Sequence, residues 1–304
     1  MATGRSLVFL GSKSAGLAAC RKLAESLPKG ALKAIICPDD RADPRSALTG
    51  FQSLAAEAGL PLHVAANRQE TMALVDRYAP DTAIVHGWYQ ILPVEDRPQT
   101  LFLGFHYSPL PRYRGNAPLV WQIIQGEREI GVSFFELTAE MDAGRLVAQR
   151  KTALRPEETI ADALAKMDVL VSEMLDAFAA SRGELVLTEQ PDDPPSYCGL
   201  RLPEDGKILW HWSGDSIHDF VRAQTRPYPG AFTLLPDGRT LRIWRSQRES
   251  RRFMGAPGAV VEIGNSHVVV ASGEGAVRLI EVEIDGEGAV PAATVLRSLR
   301  TRLG

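Results

Sequence analysis

The chain has 304 residues, room for one large domain or two of ordinary size. Apolar residues make up 45% and charged residues 23%, so it can bury its own core and is neither a disordered chain nor a disulfide-stapled one. A net charge of −3 argues against indiscriminate nucleic-acid binding by the whole chain. Cys20, Cys37 and Cys198 are scattered and odd in number, with no metal-ligand spacing. They point to a reducing, cytoplasmic setting with no structural metal. The apolar run after Arg5 stops at Gly11, too short for a signal peptide or a membrane span.

In chain order, Ser6 to Leu10 reads as a buried strand and Ala15 to Leu27 as a helix with Leu17, Cys20, Leu23 and Leu27 on one side. Leu32 to Cys37 is a second strand. Phe51 to Ala58 is helical, Leu62 to Ala65 strand-like and Thr71 to Tyr78 helical. Ala83 to Val85 and Leu101 to His106 are further strands. This alternation predicts a doubly wound α/β sheet, with helices on both faces and ligands beyond the carboxyl ends of the strands. Gly11, His86-Gly87 and His106 then share one rim.

Two stretches carry candidate chemistry. In the first, a strand ends at His106. The turn Tyr107-Ser108-Pro109-Leu110-Pro111 follows, held extended by its two prolines. A rigid turn beside a strand-end histidine positions a ring for proton transfer. Asn116 and Pro118 open a helix through Trp121 and Ile124. In the second, the strand Gly131 to Leu137 leads into the loop Thr138-Ala139-Glu140-Met141-Asp142-Ala143-Gly144, and a strand starts again at Arg145. Asp142 in such a loop can meet the rim histidine and orient its ring.

Thr159 to Ser181 is an amphipathic helix whose methionines, Met167 and Met174, belong to its core stripe; Gly183 ends it. Gln190 to Ser196 breaks all periodicity and reads as a linker. Beyond it, a helix over Ser216 to Gln224 precedes five short strand-like runs between Phe232 and Ile284, separated by Gly-rich turns. They predict a small, OB-like β-barrel. The expected division is residues 1–187, a linker 188–203, and 204–304.

The two stretches resemble the folate-dependent formyltransferases, whose pattern is Asn-x-His-x-Ser-Leu-Leu-Pro-x-x-Arg-Gly-x-x-Pro followed by an Asp-x-Gly loop. Here the pattern stands as Gly104-Phe105-His106-Tyr107-Ser108-Pro109-Leu110-Pro111, Arg114-Gly115 and Pro118, then Asp142-Ala143-Gly144. Val8 to Gly11, His86 to Pro93, Gly206 to Trp210 and Arg226 to Thr233 extend the likeness over nearly the whole chain. The resemblance implies a Rossmann-like domain, 10-formyltetrahydrofolate as co-substrate and a primary amine as acceptor. It makes His106 the proton acceptor and Asp142 its ionised partner. Trp88, Tyr89, Gln90, Ser108, Pro109, Leu110, Pro111, Asn116, Thr138, Ala139, Glu140 and Met141 would line the folate pocket.

One departure stands out: the family's asparagine falls on Gly104, which has no amide to polarise a formyl oxygen. Asn116, a backbone N–H or a water could supply the donor. The chain could instead hydrolyse formyl-folate, or bind folate without turnover. The arginines Arg239, Arg242, Arg245, Arg248, Arg251 and Arg252 could meet tRNA phosphates. Asp237, Glu249 and the acids from Glu281 to Glu287 dilute that field, and a solvated β-ribbon is the simpler reading. The acidic balance favours a small amine, an amino sugar or a hydroxylated amino acid, over methionyl-tRNA.

Overall fold

The structure is a computed structural model that describes residues 5–181 and 184–304; Gly183 lies outside them. The chain forms two compact units. The first comprises the described residues to Arg114, with Gly131–Lys151 and Lys166–Tyr197.

This first unit is built on a seven-stranded sheet. Its elements run β1 (Leu7–Gly11), α1 (Lys13–Ser26), β2 (Leu32–Pro38), α2 (Leu48–Ala58), β3 (Leu62–Ala65), α3 (Arg68–Tyr78), β4 (Thr82–His86) and β5 (Leu101–His106). The two-residue β6 (Arg114–Gly115), β7 (Glu129–Glu136) and β8 (Leu146–Ala153) follow; α4 (Pro118–Ile124), between β6 and β7 in the chain, belongs to the second unit. The sheet order is β3-β2-β1-β4-β5-β7-β8. The first five strands are parallel, and β7 returns antiparallel to β5. Every residue of β1 and of β4 is buried, as expected of parallel strands covered on both faces.

Chain order reverses between β1 and β4, which opens a crevice at their carboxyl ends. The crevice is tightly built. Gly87 follows β4 at φ +68°, and a Cβ there would sit 2.1 Å from the Ser12 carbonyl oxygen, so only glycine fits. α3 begins with a reciprocal cap: Asn67 accepts from the Glu70 N–H, and the Glu70 carboxylate accepts from the Ala66 N–H. The long helix α5 (Ile160–Ala180) starts on Asp162, which accepts from the Thr159 N–H and hydroxyl. Met167 and Met174 are buried core residues. Among the described residues, no helix is long and apolar enough to cross a membrane.

The second unit comprises Gly115–Ile130, Thr152–Ala165 and Cys198–Gly304. Its later elements are β9 (Tyr197–Cys198, paired with β6), α6 (Gly214–Gln224), β10 (Ala231–Leu234), β11 (Thr240–Arg248), β12 (Val260–Ile263), β13 (Val268–Ala271), β14 (Ala276–Ile284), β15 (Ala289–Pro291) and α7 (Ala292–Val295). The strands form an antiparallel sheet ordered β10-β11-β14-β13-β12, with β15 on β14. The ladder does not close β12 onto β10. The last residues do so instead: Val260 donates to Thr301, Leu303 to Gly258, and Leu234 and Gly304 bond each other.

The units are not contiguous in sequence, unlike the division 1–187, 188–203 and 204–304. Ile124 of α4 packs into the second unit's apolar core, and the buried Arg222 and His218 of α6 donate to the carbonyls of Glu158 and Pro156. The segment read as a linker is also tied down, because Ser196 accepts from the Tyr113 N–H and Gln190 bonds the Asp142 loop. Its polar side chains hold loops, so no hydrophobic period is needed to place them.

Glu249, after β11, accepts from the backbone and guanidinium of Arg251 and from Arg278 on β14. The Arg251 guanidinium, followed by Arg278, holds its carboxyl far below the usual range. A depressed carboxyl stabilises the fold above its unfolded value and loses that contribution as pH falls through the folded one. Glu249→Gln should therefore cost about 1–2 kcal/mol at neutral pH. The difference from wild type should shrink as pH drops below about 4.5, in urea unfolding curves at several pH values.

Candidate active site

His106 closes β5, beside Ser133 of β7 in register, and is 8% exposed. Its Nε2 lies 2.7 Å from the Tyr113 carbonyl oxygen. A carbonyl only accepts, so Nε2 carries the hydrogen and the lone pair of the neutral ring is at Nδ1. Nδ1 faces Asp142 Oδ2 at 3.7 Å. That exceeds hydrogen-bond length, as expected when two acceptors face each other. A proton accepted at Nδ1 turns the contact into an ion pair, with the imidazolium held from both sides. Phe135 packs edge-on against the ring at 6.3 Å.

The turn after His106 is braced from within. Ser108 is fully buried and donates to the Arg112 carbonyl. Ser133 donates to the Ser108 carbonyl and accepts from the Leu110 N–H. Gln149 of β8 donates to the Leu110 carbonyl and to Ser133 Oγ. Pro109, Leu110 and Pro111 are buried, and Leu110 packs on Phe135 and Leu146. Ser108 to Pro111 thus form the frame of the turn, and they can serve a ligand by fixing its backbone.

Asp142 sits at φ +50°, a left-handed conformation that aspartate tolerates better than most residues. Two residues on, a Cβ on Gly144 would lie 1.9 Å from the Glu136 carbonyl oxygen, so the loop closes against β7 only with glycine. Thr138 caps the loop internally through the Glu140 carbonyl. Glu140 and Met141 are exposed. Thr138 and Ala139, with Val94, Pro98, Phe102 and Leu137, line a cleft of about 590 Å³, room for a drug-sized ring system.

Tyr89 is 57% exposed, with the Lys13 ammonium 5.4 Å from its ring centre. Lys13 itself is pinned by Asp40 and Asp43. Trp88 Nε1 and Gln90 Oε1 are buried without a hydrogen-bond partner among the described residues. One is a donor and the other an acceptor. Asn116 lies in the second unit, where its N–H donates to the Cys198 carbonyl. His86 is buried, and burial pulls its pKa down to about 4. The neutral ring lies 3.2 Å from the Tyr107 hydroxyl, which donates to Asp168. Burial raises the Asp168 carboxyl.

Gly104 has its asparagine space filled. A Cβ there would lie 2.8 Å from Leu137 Cδ2. Leu137 is anchored by its N–H to the Phe102 carbonyl and packs between two apolar clusters.

Residues 7–175 match the family model described as formyl transferase, and residues 202–300 match the formyl transferase C-terminal domain. The chain belongs to the formyltransferase family. It is 35% identical over 241 residues to a methionyl-tRNA formyltransferase of Sorangium cellulosum, covering 77% of each chain. Over 313 residues it is 32% identical to one of Citrifermentans bemidjiense, covering 99% of this chain and 96% of that one. The sugar 3N-formyltransferase WlaRD, solved with dTDP and 5-N-formyl-THF, shares the fold at a TM-score of 0.67 and 14% identity, over 94% of this chain and 99% of that one.

Ser133, Gln149 and Gln190 bond the turn and the loop, and the motifs leave them out. Ser133 had a signal, a polar residue inside an otherwise apolar buried strand, which must find a partner. Gln190 had none.

Proposed function

We propose that the chain transfers the formyl group of 10-formyltetrahydrofolate to a primary amine. The observation that carries this is the His106–Asp142 pair, with the ring's only lone pair on the side of the carboxylate. Formyl-folate supplies a carbonyl carbon already activated by its attachment to N10. The amine adds to the formyl carbon, and His106 accepts the amine proton at Nδ1 while Asp142 offsets the charge so created. The C–N10 bond breaks as that proton passes to N10 of the leaving tetrahydrofolate. Trp88, Gln90 and the 138–141 loop hold the pterin.

The relatives' names make the α-amine of methionyl-tRNA the first acceptor to test. A small amine remains the second reading, on one specific observation. Arg239, Arg242, Arg248 and Arg251 are each ion-paired, with Asp237, Asp285, Asp219 and Glu262. A strip neutralised in this way offers less to phosphates than its sequence suggests.

The test incubates the protein and 10-formyltetrahydrofolate with methionyl-tRNA, with a panel of amino sugars and hydroxylated amino acids, and with no acceptor. Formylation of methionyl-tRNA, weakening steeply between 50 and 200 mM salt, supports the first acceptor. Formylation of a small amine alone supports the second. Formate release without an acceptor makes the chain a hydrolase, and no release of tetrahydrofolate in any arm overturns the proposal.

A further inference from the structure

We infer that Gln190 is the positioning residue for Asp142: its side-chain amide holds the left-handed turn that aims the carboxylate at His106. The inference rests on the proposed His106–Asp142 pair. Gln190 Nε2 donates to the Asp142 carbonyl at 2.8 Å and to the Gly144 carbonyl at 2.9 Å. Both donors of one amide are therefore spent on the two peptide oxygens that flank Ala143. The other end of the amide is also fixed, because Gln190 Oε1 accepts from Arg114 Nη2 at 2.8 Å. Arg114 is 7% exposed, and its Nη1 reaches Glu140 of the same loop at 3.3 Å. Gln190 is itself set in place two residues earlier, where Thr188 and Leu146 exchange backbone hydrogen bonds beside the loop's exit into β8.

The physical reason for such a clamp lies in Asp142. A non-glycine residue at positive φ is held there by its surroundings, and it relaxes when they are removed. Relaxation would turn the carboxylate away from Nδ1, at a site where 3.7 Å already leaves no slack. Glutamine suits the task because it bonds a guanidinium with its oxygen and two carbonyls with its nitrogen. Glutamate has nearly the same shape and keeps the first bond, but has no N–H for the other two.

Five variants test this: Gln190→Ala, Gln190→Glu, Asp142→Asn, and each Gln190 variant combined with Asp142→Asn. The first readout is the ring ¹⁵N resonance of His106 Nδ1, which needs no turnover. Both Gln190 variants should move it in the direction that Asp142→Asn moves it, and should add nothing in the Asp142→Asn background. The second is steady-state formyl transfer, in which kcat should fall about 10–100-fold with KM for formyl-folate nearly unchanged. A resonance that stays at its wild-type position in folded Gln190→Ala overturns the inference. So does a Gln190→Glu variant that restores wild-type behaviour, or a Gln190 effect of undiminished size without the Asp142 carboxylate. If wild type itself turns nothing over, the catalytic reading fails and the resonance arm alone decides the role of Gln190.

Discussion

Replacing His106 by alanine should lower formyl release by about 10²–10⁴-fold, the range for removing a positioned general base. The loss should appear in kcat, because the ring lies against Asp142, Tyr113 and Phe135 and none of the pterin contacts proposed above involves it. His106→Gln is the sharper variant. Its amide nitrogen reaches the position of Nε2 and can still donate to the Tyr113 carbonyl, so the turn keeps its anchor while the lone pair at Nδ1 is gone. Both variants should bind formyl-folate within a few-fold of wild type in a direct titration. Asp142→Asn should lose less, since the base remains and only the charge that stabilises its protonated form is removed. Activity of His106→Gln within tenfold of wild type would show that the proton leaves by another route.

Much of this was legible in the sequence, for identifiable reasons. Strands such as β1 and β4 are continuous apolar runs because both faces are covered, and such runs are hard to mistake. The bounds Leu62–Ala65 and Leu101–His106 follow from the same patterning. His106 and Asp142 stand out because their flanking turns need special residues, the prolines on one side and Gly144 on the other. What sequence could not show depends on pairing at a distance. Nothing near Gln190 signals that it holds a loop from 48 residues away, because a single side chain sets no period. The grouping of Gly115–Ile130 and Thr152–Ala165 with the C-terminal strands rests on contacts to α6 that local propensity cannot carry. The closure of the second sheet by Thr301–Gly304 is likewise a register between segments far apart, and the tail's own residues carry no strand pattern. Gly104 was visible as a departure, but its meaning was not, since only the structure shows what stands in the vacated space.

That space sets the last expected result. Gly104→Asn alone should give no gain in turnover and should cost about 1–3 kcal/mol in stability, because the new side chain must push Leu137 out of a packed site. Leu137→Ala opens the space without adding a donor. The double variant Gly104→Asn/Leu137→Ala does both, and an amide placed where charge develops on the formyl oxygen is worth about 10²–10³ in rate. If the natural chain works without such a donor, the double variant should exceed Leu137→Ala by about that factor in single-turnover formyl transfer. If the two are equal, a donor is already in place, and the apolar contact between Gly104 and Leu137 marks a site rebuilt around it. The comparison is informative either way because it is made against Leu137→Ala, so the packing loss cancels and only the amide is left to act.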